Sequence, residues 1–184
     1  FTAIDNKPHG ELWTPAVQGD DLLIEILVSP RQQRDVNLNI ELTSINVGYR
    51  GFYEQGTNRS GSCNYDVVCA EGDDWWDEIP CVAVISTGGS TFCTGFMVNN
   101  TSQDRTPYFM TANHCGVNAG SAPSLVTYWN YQNSYCRVPG SGDSGGPGDG
   151  QLNQFNTGAT HLTSGSASDY TLVVMDDSPD DAWE

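Results

Sequence analysis

Pro107-Tyr-Phe-Met-Thr111-Ala112-Asn113-His114-Cys115-Gly116 puts a histidine directly after a β-type run and a cysteine directly after the histidine. An imidazole serves as a general base only when it is held in an orientation that can reach a proton. A strand before His114 and a disulfide beside it would supply that restraint. Cys93, on an earlier strand beyond the turn-rich Asn99 to Asp104 segment, is the candidate partner for Cys115. Such a base also needs a carboxylate to fix its tautomer and to stabilise the imidazolium formed during attack. Asp169 is the candidate: in Ser168-Asp169-Tyr170-Thr-Leu-Val-Val-Met175 it is the polar residue just ahead of another β-type run.

The elements that must position these groups are short strands. From Gly61 onward, Cys81 to Ser86, Phe92 to Val98, Thr106 to Ala112, Ser124 to Tyr131 and Asp169 to Met175 read as β-type runs between Gly/Ser/Thr turns. Their spacing predicts an all-β barrel or sandwich. No amphipathic helix of usable length and no internal repeat is found. Residues 1 to about 60 have a different composition and contain no cysteine. There, Asp20 to Val28 is a compact apolar run, and Val36 to Val47 alternates apolar with polar. Pro30 and Arg31-Gln-Gln-Arg34 separate the two, so this region predicts a small β-module, with the polar Glu54 to Gly61 as the boundary.

Composition narrows the function classes. Seven basic residues face 23 acidic ones, a formal charge of −16, and such a surface repels phosphate backbones. Nucleic acid is not an expected partner. No apolar run approaches membrane-spanning length, so no membrane partner is expected either. The six cysteines form no CxxC pair, which favours disulfides over zinc and implies export to an oxidising compartment. The chain opens on Phe1 and closes on Asp181-Ala182-Trp183-Glu184, and it reads as a piece of a longer polypeptide.

The segment Thr111-Ala-Asn-His114-Cys115 resembles the surroundings of the catalytic histidine in trypsin-like peptidases. The likeness extends further. Gly61-Ser-Cys63-Asn-Tyr-Asp-Val-Val-Cys69-Ala-Glu-Gly72-Asp73 is similar to the mature amino terminus of bacterial lysyl endopeptidases, as are Cys93-Thr-Gly95, Val98-Asn-Asn-Thr101 and Tyr128-Trp-Asn-Tyr-Gln-Asn133. The resemblance implies a chymotrypsin-like Greek-key β-barrel, of which only the first of two barrels is expected here. It implies a secreted serine endopeptidase with polypeptide substrates, no cofactor and a monomeric full-length enzyme. His114 becomes its general base and Asp169 its carboxylate. Residues 1–60 become a pro-region, with cleavage near Arg59 or Ser60, and 61–184 the amino-terminal part of the protease domain. Cys93 with Cys115 and Cys69 with Cys136 resemble family bridges. The counterpart of Cys63 pairs far downstream in the family, and Cys81 has no placed counterpart, so both remain open.

Gly142-Asp143-Ser144-Gly145-Gly146-Pro147 spells the nucleophile motif of the same enzymes. Ser144 is nevertheless not expected to attack. Only 29 residues separate it from His114, too few to finish one barrel and reach the second, and Gly148 to Phe155 has little strand character. The expected reading is an exposed glycine turn, with the nucleophile elsewhere in a longer polypeptide and the 184 residues inactive alone.

Two other readings compete. One is a non-catalytic, secreted, protease-like β-protein that binds a partner or calcium through Asp143, Asp149, Asp176, Asp177, Asp180 and Asp181, although their spacing matches no defined calcium loop. The other is a zinc site through His114 and Cys115 with His9 or His161. Adjacent ligands are geometrically poor, and no metal is expected.

Overall fold

The structure is a computed structural model that describes residues 2, 5–31, 33, 39–47, 61–89, 91–146 and 148–179. Seven strands form its sheet: β1 Val82–Thr87, β2 Thr91–Val98, β3 Tyr108–Thr111, β4 Val126–Trp129, β5 Phe155–Thr157, β6 Ala159–Gly165 and β7 Tyr170–Met175. Their order is β5-β4-β1-β2-β3-β7-β6, and every neighbouring pair is antiparallel. The remaining regular elements among the described residues are short 3-10 turns. The architecture is the expected all-β class, a seven-stranded antiparallel half-barrel consistent with a chymotrypsin-like barrel.

β5 and β6 occupy opposite edges of the sheet, yet a single residue, Gly158, separates them in sequence. The sheet must therefore curl until its edges meet. Gly158 is the seam: its N–H donates to Leu125 O (2.8 Å) on the β4 side, and its carbonyl accepts from the N–H of Asp176 (3.1 Å) just past β7. Its φ of +81° is a left-handed conformation, and an added Cβ would lie 2.2 Å from the Asp176 carboxylate. The positive φ favours glycine, and any side chain here would also have to displace that carboxylate.

Inside the curl, alternate residues of β3 and β7 point inward, which is the period-2 pattern legible in their sequences. Phe109, Ile85, Leu125, Trp129, Val173 and Met175 form the core with Ala83, Val117, Ala122 and Ala159. The rings of Phe109 and Trp129 meet edge to face, 6.0 Å between centroids. Burying each large side chain contributes about 1.5–3 kcal/mol relative to exposure.

One expectation changes. β5 and β6 are strands that the sequence did not announce. β6 is polar on most positions, and a bulge between His161 and Thr163 resets its alternation, so no single period runs through it. Of the small β-module expected over residues 1–60 the structure describes only part, and there Asp20 to Val28 and residues 39–47 contain no strand. Residues 36–38 and 48–60, and with them the Arg59/Ser60 cleavage point, lie outside the described residues. Leu22, Leu23, Ile24, Ile26 and Leu27 are exposed, as are Ile40, Leu42, Ile45 and Val47. Alternation becomes a strand only when a ladder partner and an apolar face are available, and two strands alone are marginal in water.

Candidate active site

β3 leads through Ala112 into a 3-10 turn over Asn113–Cys115, which carries His114 and ends on Gly116 at φ 76°. β3 pairs with β7 in a register that sets Thr111 against Thr171. Two residues further along that antiparallel register, Asp169 falls opposite Asn113, beside the histidine. Asp169 itself has φ 48°, the turn conformation from which β7 starts.

The carboxylate grips His114 twice. Oδ1 accepts the backbone N–H of His114 at 2.9 Å, and Oδ2 lies 2.6 Å from Nδ1. The backbone bond from His114, followed by the imidazole bond, holds the Asp169 carboxyl below its ordinary value, so it stays ionised. An ionised carboxylate only accepts, so Nδ1 carries a proton, and in the neutral imidazole Nε2 is left with a lone pair. Both side chains are exposed. The arrangement can accept a proton at Nε2 from any hydroxyl brought against it.

The Cys93–Cys115 bridge, Cα atoms 6.0 Å apart, ties the turn beneath His114 to β2. Thr111 Oγ1 donates to Thr94 O at 2.7 Å, a second tie between the same strands. Cys93, His114 and Cys115 gather three potential ligand atoms within 4.8 Å, but both sulfurs are spent in the disulfide and are not thiolate ligands. His9 binds Asp176 and is not part of this group.

Ser144 is placed in a different setting. Its hydroxyl donates to Ser62 O at 2.6 Å, and Gly140 N–H donates to the same carbonyl at 3.0 Å. The glycine loop thereby clasps the segment that begins at Gly61. A second clamp holds the same region: Cys69 is bonded to Cys136, and Arg137 grips Asp66 with Nε (3.0 Å), Nη2 (2.6 Å) and its backbone N–H (2.9 Å). Asn133 adds a bond to Asp66 at 2.7 Å, and Arg137 Nη1 reaches Gly146 O. The Arg137 guanidinium is the main cause of the lowered Asp66 carboxyl. Cys63 and Cys81 are free thiols.

Of the aspartates considered for calcium, Asp149 binds Ser134, Asp176 binds His9 and Asp177 binds Lys7; Asp180 and Asp181 lie outside the described residues. Sequence reasoning passed over the Asp66–Arg137 clamp. A signal was present: with seven basic residues against 23 acidic ones, an arginine next to a bridged cysteine has many carboxylates to choose from.

A family model described as the lysyl endopeptidase C-terminal domain matches residues 57–183. The chain belongs to the lysyl endopeptidase family. It is 28% identical over 172 residues to a lysyl endopeptidase of Pseudomonas aeruginosa, an alignment covering 88% of this chain and 34% of that protein. The chain thus spans about a third of the length of this curated relative. No helix among the described residues is long and apolar enough to cross a membrane.

Proposed function

We propose that the chain supplies the first barrel, the general base and the orienting carboxylate of a secreted serine-type endopeptidase. The observation that carries this reading is the double contact of Asp169 with the backbone and imidazole of His114. In the proposed reaction, a serine hydroxyl contributed by a second barrel loses its proton to His114 Nε2 as it attacks the peptide carbonyl. Asp169 remains ionised and stabilises the imidazolium; His114 then returns the proton to the departing amine. Ser144 is not the serine proposed here, a reading supported by the hydrogen bond that its hydroxyl donates to Ser62 O. Residues 1–60 act as a pro-region released near Arg59 or Ser60, leaving 61–184 in the mature enzyme. The name of the Pseudomonas relative points to cleavage at lysine. The mature enzyme is secreted and monomeric, and uses no cofactor.

The test compares the 184 residues with the complete polypeptide of which they are part. The complete enzyme cleaves lysyl peptides, and Asp169→Asn lowers its kcat by about 10⁴ through loss of the correct histidine tautomer. The 184 residues alone are inactive and take up no serine-directed phosphonate. Stoichiometric labelling of Ser144 would overturn the assignment.

A further inference from the structure

The amino-terminal residues are not all idle. Lys7 Nζ meets Asp177 Oδ1 at 2.7 Å and Asp176 O at 3.2 Å, and His9 Nε2 lies 2.7 Å from Asp176 Oδ2. The carboxylate of Asp177 is the main reason that the Lys7 ammonium is held above its usual value. Six residues on from Lys7, Trp13 packs against the cluster of Val126, Tyr128 and Leu152, and Ala16 N–H donates to Tyr128 OH at 3.0 Å. One end of this segment therefore holds the chain leaving β7, while the other holds β4. Between those two attachments runs the seam at Gly158, where the edges of the sheet are joined.

We infer that Lys7–Ala16 is a strap that staples the barrel seam and binds there as a separable ligand, leaving the His114–Asp169 pair uncovered. The distance follows from β7. Asp169 precedes this strand and Asp176 follows it, so the grip and the carboxylate of the site lie at opposite ends, about 23 Å apart at 3.3 Å per residue. The strap adds the Lys7–Asp177 ion pair, the His9–Asp176 hydrogen bond and apolar contact where the curled sheet is joined through Gly158. In a barrel whose edges meet through one glycine, opening is expected to start there.

The chemistry of the attachment is an ammonium, an imidazole and an indole on the strap, received by two aspartates, a tyrosine hydroxyl and an apolar shelf on the barrel. The inference does not depend on natural cleavage at Arg59 or Ser60, because an introduced cut serves as well. A specific protease site is inserted within residues 48–60 of the 184-residue chain, and the cut protein is passed over a sizing column. Amide exchange at Gly158 and Asp176 and modification of His114 by diethylpyrocarbonate are followed in parallel. The amino-terminal piece is expected to co-elute with the barrel. Lys7→Gln, His9→Gln and Trp13→Ala combined, all on the strap, are expected to release it, to speed seam exchange at least tenfold, and to leave His114 modification unchanged. Three results overturn the inference: separation of the pieces in the unsubstituted chain, seam exchange indifferent to the triple substitution, or His114 becoming more reactive once the strap is lost. Failure of the peptidase reading would appear instead as inactivity of the complete enzyme, which none of these measurements involves.

Discussion

β7 and the run from Leu22 to Leu27 are comparable in length and apolar content, yet they end in opposite states. Val173 and Met175 of β7 are buried against Phe109 and Trp129, whereas Leu23 and Leu27 are 88% and 86% exposed. The difference is supplied by neighbours. β7 has β3 on one side, β6 on the other and a core beneath it. Leu22 to Leu27 has no ladder partner among the described residues. Apolar composition is therefore a request for a surface, and the fold decides which requests are met. The strap at Lys7–Ala16 shows a middle case, a segment without regular structure that is held by side chains.

The comparison breaks most visibly in the core. Phe109→Ala is expected to destabilise the barrel by about 3–5 kcal/mol, read from denaturant midpoints, because the ring is fully buried against Trp129 and closely covered by Gly95. An intermediate effect is expected from acid. Asp66 has its carboxyl lowered from 3.8 by Arg137, so its contribution is fully present above that value and is lost as pH falls through the native one. Asp169 and Asp149 are lowered too, and Asp104 is lowered to about 2 by Thr106 and Asn100. Thermal melts should therefore shift little between neutral pH and about pH 5, then drop steeply below pH 4, and Asp66→Asn should make that drop shallower. The smallest effect belongs to the amino-terminal run. Leu23→Ser with Leu27→Ser should change barrel stability by less than about 0.5 kcal/mol. A loss comparable to that of Phe109→Ala would show that these leucines pack on the barrel after all, and would erase the contrast.

How much was legible varies with the range of the information. The runs that became β1, β2, β3, β4 and β7 were marked by β-branched and aromatic residues between turns, signals spread over fewer than ten positions. His114 and Asp169 stood out because each adjoins such a run within a segment that resembles the pattern of trypsin-like peptidases and lysyl endopeptidases. β5 and β6 were illegible because their residues are polar and one carries a bulge; they are strands because the curled sheet offered them edges. The apolar alternation after Asp35 was equally clear as text, and residues 39–47 nevertheless form no strand.

From the sequence alone came the anionic surface, the all-β class, the identity of the two groups expected to share a proton, and the presence of a serine motif that is best not trusted. Only the tertiary structure decided that Asp169 falls beside His114, that Ser144 clasps Ser62, that Arg137 saturates Asp66, and that Lys7 and His9 reach aspartates up to 170 positions away. The physical reason is the reach of each interaction. Side-chain alternation and turn preference act between near neighbours and can be read in order, whereas hydrogen bonds and charge pairs form between whichever groups the closure of the barrel brings within about 3 Å.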